Sequence, residues 1–326
     1  LFVPREFRLS TLTLGNPMSR HPELQYLELM SHLMEHGDPR LDRTGVGTRS
    51  TFGATFRFDL SDGTVPVITT KRVYWKLAVK EMLWFLTGGT NIRALLEQNV
   101  RIWTDWPLKK YRDAVEPDIS QADFEQRILD DEAFAVQWGE LGPVYGKQWR
   151  RWTDQSGNDH DQIAGVIAAL KTNPASRRIL FHAWNVPELP DMALPPCHMV
   201  YQFYVSNLTP ADGDTASRPK LNMLIFQRSC DLMLGAPFNF VGGAALMAMI
   251  AQQADLDLGE LVWMGGDVHL YMNHLDQARE QVSRAPRAFP TLKLLRRPDS
   301  IDGYRIEDFE LSGYDPHPPI AADVAV

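Results

Sequence analysis

Apolar residues recur at helical spacing in some stretches of this chain and alternate or run on in others, and the two patterns mark out its elements. "ELQYLELMSHLMEHG" (23–37) keeps its apolar residues on one helical face and ends in glycine, which predicts an amphipathic helix. "STFGATFRFDL" (50–60) and "VPVITT" (65–70) read as strands around the turn "SDG". "WKLAVKEMLWFLTGG" (75–89) is apolar almost all round, the mark of a buried helix, and "TNIRALLEQN" (90–99) predicts a shorter one. Residues 107–140 change character, with charges, a proline and the capping-box pattern Ser120–Asp123, and read as a small helical insertion. A helix at "DQIAGVIAALKTNP" (161–174) precedes strands at "RRILFHAW" (177–184), "HMVYQFYVS" (198–206) and "KLNMLIFQ" (220–227). A long helix follows at "GGAALMAMIAQQADL" (242–256). Helices and strands interleave without regular βαβ spacing or repeats, so the expectation is one mixed α/β domain over 23–326, with 1–22 set aside as an arm or cloning remnant.

Composition narrows the function classes. The chain has 326 residues, 44% of them hydrophobic, enough for a large core. Its two cysteines are too few for a disulfide framework or a thiolate zinc site, which fits a reducing, cytoplasmic setting. No apolar run reaches membrane-spanning length, and the first residues lack a signal-peptide layout. A net charge of -8 disfavours general nucleic-acid binding.

Against that background Cys197 stands out, because "MALPPCHMVYQFYV" (192–205) sets it between a stiff Pro-Pro turn and a strand. Buried cysteines are often inert, and a reactive one needs a positive neighbour. His198 is a poor partner, since successive residues on an extended segment face opposite ways. Arg228, at the end of the strand expected beside it, is the better candidate to hold a thiolate or a phosphate. The consecutive Arg177 and Arg178 are either a solvated pair or two side chains that serve a pocket across a dimer interface. Glu81 has Leu77, Ala78, Trp84 and Phe85 as its stacked helical neighbours. Either its carboxyl is buried with a raised pKa, as a general acid or base requires, or the helix turns it to an edge. Asn239 in "PFNF" precedes the expected helix and reads as its cap, or as a carboxamide able to pair with a uracil edge. His269 and Tyr271 share one face of an extended segment and suit a sugar hydroxyl. The spacing of His269 and His274 argues against a metal site.

Taken together these segments resemble the thymidylate synthase family. The resemblance rests on ten segments in the family's order: "DRTGVGTRS" (42–50), "EMLWFL" (81–86), "RIWTDW" (101–106), "LGPVYGKQWR" (141–150), "ASRRI" (175–179), "MALPPCH" (192–198), "QRSCD" (227–231), "GAPFN" (235–239), "GGDVHLY" (265–271) and "YDPHP" (314–318). It implies a mixed α/β domain whose sheet packs back-to-back in a homodimer, and an enzyme that methylates dUMP. Cys197 would add to C6 of the pyrimidine, with Glu81 transferring protons through water and Tyr145 supporting proton removal. Arg43, Arg228 and Ser229 would take the phosphate, joined by Arg177 and Arg178 from the other subunit. Asn239 would read the uracil, His269 and Tyr271 the ribose, with Cys230 and Asp231 among the nucleotide contacts. Asp231 also falls among the catalytic and folate positions, the latter with Tyr74, Trp103 and Ala325. Methylenetetrahydrofolate would supply carbon and hydride, with no metal.

The chain departs from the family pattern at Phe226, at Phe240–Gly243, at Tyr74 and His182, and at Asp323. Gly242 and Gly243 remove side chains near the base-reading segment, which bears on pyrimidine and folate packing. Two other classes compete: a hydroxymethylase on the same fold, in which water quenches the methylene, and a nucleotide- or RNA-binding regulator without turnover. A cysteine hydrolase is more distant, because Cys197 and His198 diverge.

Overall fold

The structure, a computed structural model, describes residues 20–41, 45–209 and 218–324. Most of the expected arm, residues 1–19, lies outside the described residues.

In chain order the helices are α1 (Leu24–His36), α2 (Trp75–Leu86), α3 (Arg93–Leu96), α4 (Asp105–Ala114), α5 (Gln121–Asp130), α6 (Glu132–Trp138), α7 (Tyr145–Arg150), α8 (Gln162–Thr172), α9 (Gly235–Gln253) and α10 (Leu275–Val282). The strands are β1 (Asp38–Arg40), β2 (Thr48–Asp59), β3 (Trp152–Thr153), β4 (Asp159–His160), β5 (Leu180–His182), β6 (His198–Ser206), β7 (Lys220–Asp231), β8 (Asp257–Tyr271), β9 (Thr291–Leu294) and β10 (Phe309–Ser312). Six of them form one mixed sheet in the order β1–β2–β8–β7–β6–β5. β7 and β8 run parallel, and the other neighbours are antiparallel. This is the mixed α/β domain that the pattern predicts. None of its described helices is long and apolar enough to cross a membrane.

α9 is buried along nearly its whole length, packed between β7, β8 and α2. Two glycines permit that approach. A Cβ on Gly243 would lie 2.5 Å from Ile225 Cδ1, and one on Gly242 would lie 3.3 Å from Met82 Cε. The Gly-Gly departure thus lets α9 approach the sheet at Gly243 and α2 at Gly242. The insertion folds as α4, α5 and α6, and Ser120 Oγ caps α5 by accepting from the Asp123 N–H at 3.1 Å.

Three expected elements differ from what forms. The long helix starts at Gly235 rather than 242, directly after a turn in which Asp231 Oδ1 accepts from the Met233 and Leu234 N–H groups. The strand at 177–184 shrinks to β5, with Arg177 and Arg178 in the turn before it. Residues 65–70 form no strand. Pro66 lacks a donor, and the Thr69 and Thr70 N–H groups bond the buried Glu23 carboxylate at 2.9 and 2.8 Å instead of a neighbouring strand. Both threonine hydroxyls donate to the same carboxylate, at 2.5 and 2.6 Å. The other side of this strip is held by a distant segment: Tyr314 donates to the Ile68 carbonyl at 2.9 Å, and the His317 N–H to that of Thr69 at 2.8 Å.

Candidate active site

The Pro195–Pro196 turn delivers the chain into β6 with Cys197 half-buried at the joint. Its N–H donates to the Tyr145 hydroxyl oxygen at 2.7 Å, and its carbonyl accepts from the Arg228 N–H at 2.8 Å. Arg228 also clamps the turn through its side chain, with Nε on Pro196 O and Nη2 on Pro195 O, both at 2.8 Å. The same Nη2 lies 3.9 Å from Cys197 Sγ. A guanidinium fixed in place thus supplies the positive charge that a thiolate needs.

His198 goes the other way, as strand alternation requires. It stacks on Tyr145 with ring centroids 4.2 Å apart and shares a 2.9 Å hydrogen bond with the Tyr201 hydroxyl. Burial pushes its pKa down to about 3, so it stays neutral and cannot pair with the thiol as an imidazolium.

Glu81 lies on α2, half-buried, and accepts from the Trp103 indole N–H at 2.7 Å. Desolvation raises its pKa to about 7, partly opposed by that hydrogen bond. Of the two readings left open, the buried acid or base is the one the geometry fits. Trp103 spends its only donor on Glu81, and its buried ring packs against Trp106 with centroids 5.2 Å apart. Tyr74, at the start of α2, is 57% exposed.

β7 and β8 carry the rest. Cys230, paired with Val268, turns into the core, where burial drives its thiol pKa well up. The buried thiol is thereby closed off from a ligand, against the nucleotide contact expected of this side chain. Ser229 and Asp231 pair with Asp267 and His269. Asp267 accepts from His269 Nδ1 at 3.0 Å, which holds the carboxyl below its usual range and leaves Nε2 for a ligand hydroxyl. Tyr271 follows on the same strand, its ring 5.3 Å from that of His269. Asn239 sits inside α9 rather than ahead of it, so it is not the helix cap. Its Oδ1 accepts from Gln227 Nε2 at 3.0 Å.

Arg177 and Arg178 are exposed. Among the described residues no side-chain hydrogen bond or ion pair ties either one to the Cys197 cluster. Arg43 and Ala325 lie outside the described residues. Three further residues escape a reading of the sequence. Gln227 orients Asn239, Asp267 orients His269, and the buried Lys71 places its ammonium on the Met233 carbonyl. Burial lowers the Lys71 pKa to about 8, with Asp231 opposing. A lysine inside an apolar flank is the one signal the sequence offers for it.

A hollow of about 790 Å³ lies elsewhere, lined by Arg296, Arg297 and Arg305. Two of those arginines are already held by Asp308 and Asp255. No group of three or more His, Cys, Asp or Glu side chains among the described residues is placed to hold a metal ion.

Comparison with known proteins gives the family. A family model described as thymidylate synthase matches residues 24–326. The thymidylate synthase of Rhizobium rhizogenes is 71% identical over 309 residues, covering 95% of this chain and all of that protein. Those of Rhodopseudomonas palustris and Zymomonas mobilis are 66% and 59% identical, over 94% and 95% of this chain and the whole of each relative.

Proposed function

The chain belongs to the thymidylate synthase family and is an enzyme that makes thymidylate, and we infer that it does so by reductive methylation of dUMP with Cys197 as nucleophile. The observation that carries this reading is the Cys197 joint, where Tyr145 holds the main chain and Arg228 holds both the turn and the charge. Addition of the thiolate to C6 forms a carbon–sulfur bond and makes C5 nucleophilic toward a one-carbon unit. Methylenetetrahydrofolate supplies that unit and the hydride that completes the methyl group.

The chain's own residues bind, orient and move protons. Arg228, Ser229 and Arg43 take the phosphate, and His269 and Tyr271 the ribose hydroxyl. Asn239 reads the base. Glu81, with a pKa near neutrality, passes a proton through water, and Tyr145 assists removal of the C5 proton. Trp103, Tyr74, Asp231 and Ala325 border the folate. Arg177 and Arg178 reach the phosphate across a homodimer interface. Their exposure supports this, as do the exposed Leu180 and Tyr204 on β5 and β6 and Met264 on β8.

Incubation with dUMP and methylenetetrahydrofolate tests the reading directly. Dihydrofolate and dTMP are expected. Tetrahydrofolate with hydroxymethyl-dUMP would overturn methylation in favour of the hydroxymethylase, which loses its sequence motive once Gly242 and Gly243 have packing roles. Binding of dUMP without any turnover would instead favour the regulator.

A further inference from the structure

A buried hydrogen-bond chain runs from β8 through β7 to α9. Trp263 Nε1 donates to Gln227 Oε1 at 2.9 Å. Gln227 Nε2 donates in turn to the Ser229 carbonyl at 3.1 Å and to Asn239 Oδ1 at 3.0 Å. Trp263 and Gln227 are both buried, and the indole stacks on Phe56 at 5.0 Å. Gly265, opposite Gln227 in the β7–β8 pair, makes room for that indole, since a Cβ there would lie 2.4 Å from Trp263 Cη2.

The polarity of this chain admits one solution. An indole nitrogen only donates and a main-chain carbonyl only accepts, so Gln227 must turn its oxygen to Trp263 and its nitrogen to Ser229. That nitrogen also faces Asn239, which has to meet it with Oδ1. Turning the Asn239 carboxamide over would set two N–H donors against each other.

We propose that Trp263 and Gln227 are positioning residues that lock the polarity of Asn239 and thereby make the pocket accept uracil and refuse cytosine. The proposal rests on the reading that Asn239 faces the base. With Oδ1 held toward Gln227, its second lone pair accepts from N3–H of uracil while Nδ2 donates to O4. Cytosine presents a bare N3 and an amino group and needs the opposite order. Supplying that order would leave buried donors unpaired, which is how a polar site rejects a near-isostere.

The test compares dUMP and dCMP affinities, by competition titration, for the native protein and for Asn239→Ala, Gln227→Met and Trp263→Phe. Asn239→Ala should bring the two affinities close together. Gln227→Met keeps the length of the side chain but has no donor, and should raise dCMP affinity about tenfold while lowering that for dUMP. Trp263→Phe should act about threefold in the same direction, because Ser229 still restrains Gln227. A gain for dCMP is something general damage to the pocket cannot produce. If Asn239→Ala narrows the ratio while Gln227→Met and Trp263→Phe weaken both nucleotides equally, the two residues only pack and the relay is wrong. If Asn239→Ala leaves the ratio at its native value, the base-reading role of Asn239 fails and takes the proposal with it. Should Gln227→Met not fold, the direction of the Trp263→Phe shift decides.

Discussion

Cys197, at the joint before β6, and Cys230, in the neighbouring β7, have opposite surroundings. Cys197 stands at a strand entrance, where a proline turn and Arg228 hold the main chain and leave the side chain half-buried. Cys230 lies within β7, where alternation alone sends its thiol into the core, 1% exposed and with a pKa pushed up by desolvation. The residue type is the same, and the backbone position decides which one can be a nucleophile. Cys230 is one residue from the end of β7, so nearness to a strand end is not enough: alternation turns its thiol inward, while the joint before β6 leaves that of Cys197 half-buried.

The strongest way to break this contrast is to exchange the thiols for hydroxyls. Cys197→Ser should reduce kcat by at least about a thousandfold while dUMP affinity, measured by titration, stays near native. Cys230→Ser should alter kcat less than about threefold but lower stability by about 1–2 kcal/mol, because it buries a hydroxyl in an apolar setting. Reversed outcomes would reassign the nucleophile. Next in size is a complementation. Mixing Arg178→Glu with Cys197→Ser chains and allowing subunits to exchange should restore about a quarter of native activity, since half the dimers are hybrid and each has one complete site. No recovery, once hybrid dimers are demonstrated, would confine Arg178 to its own subunit and remove it from the Cys197 pocket.

Glu81 sharpens the comparison on the reactive side. Glu81→Gln should cut kcat by about 10²–10⁴. The same change should alter the pH dependence of stability. The folded-state pKa is raised to about 7 from 4.5, so the native fold favours the protonated carboxyl and loses stability as pH climbs through that interval. Relative to the native protein, Glu81→Gln should therefore gain stability in denaturant melts at pH 8 and gain little at pH 4. A gain that ran the opposite way would mean the carboxylate is the favoured form. The smallest effect belongs to the packed side. Gly243→Ala should cost up to about 1 kcal/mol by pressing on Ile225, and Ile225→Val in the same chain should relieve most of it. Simple additivity of the two changes would separate Gly243 from that contact.

Much of the reactive side is legible in the order of residues alone. A cysteine after two prolines, a carboxylate on an apolar helix and an arginine at a strand end are each locally anomalous, and an anomaly among near neighbours shows without knowledge of the fold. Asn239 is legible as a residue but not in its place, because α9 begins at Gly235, just after a turn that Asp231 closes where β7 ends. The strip at 65–70 has the pattern of a strand because nothing nearby reveals that Glu23 takes its donors. Gln227, Asp267 and Lys71 stay hidden for a related reason. Each acts by turning one polar atom toward a partner far along the chain or set by strand geometry, and such pairs have no periodicity to read.

That strip has a further consequence, in the order of events during folding. Glu23 holds it from one side, while Tyr314, which comes 246 positions after Ile68, closes it from the other. The Val73 N–H, which donates to the Tyr314 hydroxyl at 2.7 Å, has no such partner until that late segment docks. Contacts between such distant positions form slowly because the intervening loop must close first. The Val73 amide should accordingly gain protection from hydrogen exchange only in the slowest refolding phase; protection in the earliest phase would show that the strip closes without Tyr314. A growing chain would carry this seam open, next to Lys71, until Tyr314 had been made.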